Sequence, residues 1–151
     1  MASGPSEAML AWYFTSPTHF AATAVAFSID ADIGVACDTT VCCSVPGVPE
    51  EQHITEPGKG VSLQIADSST IADTALVKGI EAIAREPGIA CQRNLMLGGG
   101  QDGAIIQRSR KGVRTVVFSC PVKYLHTAAE MVHRGDLLSY RDLLTRFLSS
   151  L

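Results

Sequence analysis

The sequence predicts an α/β domain in which helices pack on a sheet. Two observations predict it. Short apolar runs near residues 32–37, 61–65, 90–97 and 115–120 have the length and residue types of strands, and segments 73–86, 102–111 and 136–151 have helical spacing or helix-ending signals. The two kinds alternate along the chain, as they do where helices cover a sheet.

Each element has a local reason. Asp32-Ile33-Gly34-Val35-Ala36-Cys37-Asp38 reads as a buried strand ending in a carboxylate. Pro46-Gly47 and Pro57-Gly58 punctuate the next loop, after which Val61, Leu63 and Ile65 alternate with polar or small residues. Leu76, Ile80, Ile83 and Ala84 fall at helical spacing, and Pro87-Gly88 stops that helix. The strand near Ala90–Leu97 leads into Gly98-Gly99-Gly100, and Asp102–Lys111 reads as a helix closed by Gly112. Thr115–Cys120 is a β-branched strand that Pro121 should end. Thr127-Ala-Ala-Glu130 has capping-box spacing. The last helix, from Asp136, should bury a stripe of Leu137, Tyr140, Leu144, Phe147 or Leu148 and Leu151. The first 20 residues read differently. Ser6 can cap a short helix through Phe14, interrupted at Ser16-Pro17-Thr18, and the Ala-rich stretch 21–27 can form a helix with almost no polar face.

Composition narrows the function classes. The chain has 151 residues, 46% of them hydrophobic, which is enough for one core. A net charge of −3 excludes the basic excess that nucleic-acid binding demands. No Lys or Arg precedes Lys59, so the charged start of a signal peptide is missing, and no apolar run approaches the ~20 residues of a membrane span. These features point to a soluble cytoplasmic protein. The five cysteines, Cys37, Cys42, Cys43, Cys91 and Cys120, are read as reduced thiols, with Cys37 and Cys120 as small core residues. Adjacent Cys42 and Cys43 are poorly spaced for one tetrahedral zinc site, and no histidine is placed to activate either as a nucleophile.

Two residues stand out as candidates for chemistry. Asp38 at a strand end can face a ligand crevice and bind a metal, or it can cap the turn at Thr39 and Thr40. His126, between a strand and the cap at Thr127, can offer a neutral imidazole to a metal or be a hydrogen-bonded surface residue. His19, His53 and His133 have no comparable setting. Gly98-Gly99-Gly100 can present backbone N–H groups to an anion, but it lacks the Gly-Lys-Ser/Thr ending of a nucleotide loop. Asp102 then sits at a helix start or in an active-site loop.

In order, the motifs Asp32-Ile-Gly-Val-Ala-Cys-Asp38, Pro46-Gly47, Pro57-Gly58-Lys59-Gly60, Gly98-Gly-Gly-Gln-Asp102-Gly and Cys120-Pro-Val-Lys-Tyr124-Leu-His126-Thr-Ala-Ala-Glu130 resemble the glutamyl and deblocking aminopeptidases, which build tetrahedral dodecamers. The resemblance runs from residue 21 to 151 and leaves 1–20 as a divergent segment. It implies the C-terminal part of a co-catalytic metallopeptidase fold, a mixed sheet flanked by helices, that holds two divalent metals, zinc or cobalt, and cleaves N-terminal residues from short peptides. It makes Asp38 and His126 metal ligands and places Gly99, Gly100 and Asp102 in the active-site loop. A homo-oligomer is the implied assembly.

The departures from that pattern are specific. The Glu-Glu pair that supplies the family's general base falls on Thr15 and Ser16, no His-x-Asp or bridging Asp occurs upstream, and Ser44 replaces an Asp before Pro46-Gly47. With about four ligands needed per metal, one donor to each leaves the chain inactive alone. It then needs a complementary N-terminal half, or it serves as a non-catalytic module pairing with a full-length relative.

Overall fold

A computed structural model describes residues 20–151, with side chains from Ala22 onward. The expected helix from Ser6 to Phe14, the Thr15-Ser16 positions and His19 lie outside the described residues. The chain runs α1 (Phe20–Ile29), β1 (Ile33–Val41), a 3₁₀ turn (Glu50–Gln52), β2 (Val61–Ala66), α2 (Thr74–Arg85), β3 (Cys91–Leu95), α3 (Gly103–Gln107), β4 (Arg114–Lys123), β5 (Met131–Val132) and α4 (Arg134–Leu148). The strands form one mixed sheet in the order β1-β4-β2-β3, with β5 added on β4. β1 lies parallel to β4, β2 lies parallel to β3, and β2 and β4 are antiparallel.

One face of the sheet is the apolar core. Val61 and Leu63 of β2 and Val116 and Phe118 of β4 meet Leu76, Val77, Ile80 and Ala84 of α2 and Leu143, Leu144 and Phe147 of α4. Burying each large side chain stabilises by roughly 1.5–3 kcal/mol. Phe118 also meets Tyr140 edge-on at 6.2 Å and stacks with Phe147 at 6.0 Å. The alternate positions on β2 and β4, Ser62, Gln64 and Ser119, are equally buried but polar. On that face Asn94 Nδ2 of β3 donates to Thr40 Oγ1 of β1 at 3.3 Å. Three strand spacings would hold these outer strands about 14 Å apart in a flat sheet. The sheet is therefore strongly coiled, with its polar face on the inside of the curve.

The structure extends several predicted elements and moves others. β1 continues through Thr39-Thr40-Val41, which pair with Cys120, Pro121 and Val122, so Asp38 lies within the strand rather than just after it. Pro121 does not end β4. Val122 C=O accepts from Cys42 N–H on the β1 side, so alternation sends the missing donor of Pro121 to the other side. There β2 pairs only as far as Ser119 and β5 begins at Val122, so no ladder bond is lost. The helix expected over 102–111 stops at Gln107, and the chain leaves it through tight turns to Gly112, φ +99°. β3 stops at Leu95, short of the exposed Leu97.

Thr127–Glu130 forms no helix. Thr127 Oγ1 bridges Tyr124 O and Ala129 N, while the Glu130 carboxylate accepts from the N–H of His126, one residue away from capping-box geometry. α4 begins instead at Arg134, and His133 is its cap, with Nδ1 accepting from Gly135 N–H at 3.2 Å. Leu137 and Leu151 fall off the buried stripe and are exposed, while Asp136 and Ser139 are on it. Cys37, expected in the core, is exposed, whereas Cys120 is buried. All five cysteines are unpaired thiols.

Two anchors fix the layers. The Asp136 carboxylate, fully buried, accepts from Gly58 N–H and Gly60 N–H at 2.8 Å each, and Ser139 Oγ accepts from Val61 N–H at 2.8 Å. Gly60 must be glycine, because φ is +91° and a Cβ would lie 2.0 Å from Ala90 O. At the other end of β2, Asp73 caps α2 through Leu76 N–H at 2.9 Å and pairs with Arg114 at 2.8 Å. None of the described helices is long and apolar enough to cross a membrane.

The Arg114 hydrogen bond, and then that from the Leu76 N–H, holds the Asp73 carboxyl down at about 2, below its ordinary 3.8. Its ionised form is thus favoured by folding, and its contribution is complete above the unfolded value and lost as pH falls toward 2. Asp73→Ala should cost about 1 kcal/mol at neutral pH. In urea titrations the gap to the unmodified chain should close on acidification.

Candidate active site

Asp38 lies within β1, three residues before its end, and His126 follows the end of its parallel neighbour β4. Asp38 pairs with Ser119, and His126 lies three residues beyond the end of β4. The Asp38 carboxylate accepts from the N–H of Thr39 at 2.7 Å and is exposed.

His126 is held by backbone geometry rather than by its ring. Tyr124 and His126 both have left-handed φ, +57° and +63°. That conformation costs a non-glycine residue roughly 1–2 kcal/mol. The main-chain N–H of His126 donates to Glu130 Oε1 at 2.6 Å, and Thr127 N–H returns to Tyr124 O at 3.2 Å, which closes the turn. The imidazole is thereby carried on an exposed loop beside the parallel pair. Strain concentrated at a candidate ligand is a recurring mark of functional loops.

A shallow groove of about 380 Å³ runs beside Asp38, lined by Cys37, Thr39, Cys120, Leu137 and Tyr140. It is at the small end of ligand pockets. The Tyr140 hydroxyl and Cys37 thiol both line it. Although Cys37 is exposed as a residue, desolvation of its sulfur raises the thiol, opposed by the neighbouring Tyr140 hydroxyl and reinforced by the charge of Asp38. Burial, and then the charge of Asp136, push Cys120 up to about 11. Both thiols therefore stay protonated at neutral pH, which removes the reactive form a thiol enzyme needs.

The Gly-rich loop does not offer an anion site. Gly98, Gly99 and Gly100 are exposed, and Gly99 has φ +83°. The first amides of α3 are already used, Gly103 N–H by Gln101 Oε1 at 2.6 Å and Ala104 N–H by Gln101 O at 3.1 Å. Asp102 takes the position before α3 without a side-chain cap, although its C=O accepts from Ile105 and Ile106. Met96, at the start of this loop, has its sulfur 3.5 Å from Thr40 Oγ1, so the coiled sheet brings the loop toward the strand of Asp38.

Asp67 organises the loop, and sequence reasoning does not single it out. Its carboxylate accepts from Ser69 N–H at 2.6 Å, Thr70 N–H at 2.7 Å, Gln64 Nε2 at 2.6 Å and Gln101 Nε2 at 3.2 Å. Burial works against its charge, but the Ser69 and Thr70 amides and the Ser69 and Gln101 side chains outweigh it and lower its pKa. The available signal is Asp-Ser-Ser-Thr straight after a strand, an Asx-turn pattern.

The donor set does not make a metal centre unaided. Among the described residues no three His, Cys, Asp or Glu side chains converge to hold an ion. The buried polar atoms near Asp38 that lack a partner among the described residues are Ser62 Oγ, Ser119 Oγ and Asn94 Oδ1. These are neutral oxygens, whereas zinc takes imidazole, thiolate or carboxylate. Asp38 and His126 do not by themselves complete a metal centre among the described residues.

Comparison with known proteins gives the geometry a context. The M42 glutamyl aminopeptidase family matches residues 18–143. A putative aminopeptidase of Acetivibrio thermocellus is 30% identical over 118 residues, 77% of this chain and 34% of that protein. Aminopeptidase APDkam598 of the archaeon Desulfurococcus kamchatkensis superposes with a TM-score of 0.85 at 28% identity, over 89% of this chain and 38% of that one. The TET1 peptidase of Pyrococcus horikoshii, described as assembling into a tetrahedron or a large octahedral shell, gives 0.71 at 29% identity, over 86% and 37%. The chain spans little more than a third of the length of each.

If His126 is held left-handed for the sake of its ring, glycine in its place should relieve the strain. His126→Gly is expected to raise folding stability by about 0.5–1 kcal/mol in denaturant titrations. A loss of stability would mean that the imidazole packs structurally.

Proposed function

Because the chain belongs to the M42 glutamyl aminopeptidase family, we propose that it acts in removing N-terminal residues from short peptides, as the C-terminal part of the catalytic unit. It contributes Asp38 and His126 to a two-metal centre, zinc or cobalt, whose remaining ligands and general base come from residues outside those described. What supports this reading is the family match over residues 18–143, with Asp38 on β1 and His126 on the loop that follows its parallel neighbour β4. Among the described residues no three metal donors converge. Gly99, Gly100 and Asp102 border the centre, on a loop that Asp67 holds in shape. In such a centre the metals lower the pKa of a bound water and polarise the peptide carbonyl. This chain's part is to hold two donors and to wall one side with Leu137 and Tyr140.

A second reading is a non-catalytic module that pairs with a full-length relative. The exposed apolar side chains Tyr124, Met131 and Val132 near β5 and Leu137 and Leu138 on α4 favour an assembly role. In either reading the chain works in an oligomer.

The purified chain with zinc or cobalt should show no turnover of aminoacyl-nitroanilides. Co-expression with the part of the Acetivibrio thermocellus relative outside the matched segment should restore activity, and Asp38→Ala or His126→Ala should remove it by about 10²-fold or more, on the order of losing a catalytic group. Turnover by the chain alone that depends on Asp38 would contradict the partial-site reading. Association without activity would select the non-catalytic one.

A further inference from the structure

The registers of four strands set the polar face out as a grid. Asn94 of β3 lies in one row with Gln64 of β2 and Val117 of β4, and Ser62, Ser119 and Asp38 form the next row. Thr40 of β1 lies one row further on, beside Pro121. Asn94 and Thr40 are thus opposite corners of the grid, and the Ser62–Ser119 pair is at its middle. The 3.3 Å bond from Asn94 Nδ2 to Thr40 Oγ1 closes those corners over that pair. The intervening residues Leu63 and Phe118 point the other way, into the apolar core. Protons set the sense of the closure. The one hydroxyl proton of Thr40 is directed at Met96 Sδ, at 3.5 Å, so its oxygen can only accept from Asn94. The amide nitrogen of Asn94 is thereby committed to Thr40, and its carbonyl oxygen is left over. Asn94 Oδ1, Ser62 Oγ and Ser119 Oγ are all buried and meet no polar partner among the described residues.

We propose that these three oxygens hold one internal water molecule as a fixed part of the fold. Chemistry identifies the guest. The amide oxygen can only accept, so the guest must donate to it, whereas each serine hydroxyl can donate or accept. A water meets all three, and about three partners is the usual number for a buried water. An ion fits poorly. All three oxygens are neutral, and the one charged residue in these rows, Asp38, is exposed. A buried cation or anion would have no opposing charge in contact. An anion would also face the amide oxygen. The water ties β2, β3 and β4 together inside the coil, and it backs the row that ends in Asp38.

Relaxation dispersion of water oxygen-17 and deuterium in solutions of the full chain counts the water molecules that stay bound through molecular tumbling. Ser62→Ala combined with Ser119→Ala leaves the guest a single partner, below the roughly two to four that a buried water needs. The count should fall by one while the circular dichroism stays that of the unmodified chain. If the double variant does not fold, Ser119→Ala alone should shorten the residence of one water roughly tenfold, on the order of one lost hydrogen bond. An unchanged count in the folded double variant, or an unchanged residence in the single one, overturns the proposal. So does an unmodified chain with no long-lived water. Melting in sodium or potassium against tetramethylammonium, at constant ionic strength, tests the ion directly and should show no difference. A cation-dependent melting temperature that the double variant loses would make the guest a cation and overturn the proposal.

Discussion

The buried carboxylate of Asp136 is the contact on which the rest of this structure depends. It lies in the first turn of α4, has no exposure, and accepts two backbone N–H groups, from Gly58 and Gly60, where the long connection enters β2. A carboxylate taken out of water is costly unless charge-assisted hydrogen bonds replace its hydration. Here they do, and Ser139, one turn on, adds the Val61 amide. The helix is thus locked to the start of the central strand, and Leu143 and Phe147 then fall onto Leu63 and Phe118. Tyr140 and Leu137 come from the same helix, so the wall of the groove beside Asp38 is set by the same lock.

The strands and the two long helices are legible in the sequence because their signals are local. α2 has an Asp cap, a buried stripe and a Pro-Gly stop, and it spans Thr74–Arg85 as that pattern requires. Expectation and structure part where a tertiary neighbour decides. Thr39-Thr40-Val41 extend a strand because β4 lies alongside, and Pro121 stays in β4 because its imino side meets a gap between β2 and β5. Thr127–Glu130 carries a capping-box pattern but no apolar stripe comes after it, so its side chains tie a turn. Leu137 has the spacing of a core residue and is exposed, since the position facing the sheet is Asp136. No periodicity argument assigns a carboxylate to a core face.

The candidate site is legible in part. Asp38 and His126 stand out by their positions after β-type runs, and the resemblance gives them a chemistry. In the fold Asp38 lies on β1 and His126 on the loop after β4, the strand parallel to it. Strain in the Tyr124–His126 turn and the network around Asp67 depend on contacts between distant segments, which no spacing displays. The Gly-rich loop has the composition of an anion cradle, but Gln101, two residues before α3 begins to wind, consumes the amides. The polar inner face of the coiled sheet, with Ser62, Gln64, Asn94 and Ser119 buried together, is hidden by the same alternation that makes β2 recognisable as a strand.

In the proposed reading Asp38 and His126 supply one donor to each of two metals, and the remaining ligands come from residues outside those described. Zinc titration of the isolated chain by calorimetry tests this most directly. The expected result is binding no tighter than about 10 μM, little changed by Asp38→Ala, as two weakly organised ligands would give. Stoichiometric binding in the nanomolar range, abolished by Asp38→Ala and by His126→Ala, would show that this chain builds a complete metal centre by itself.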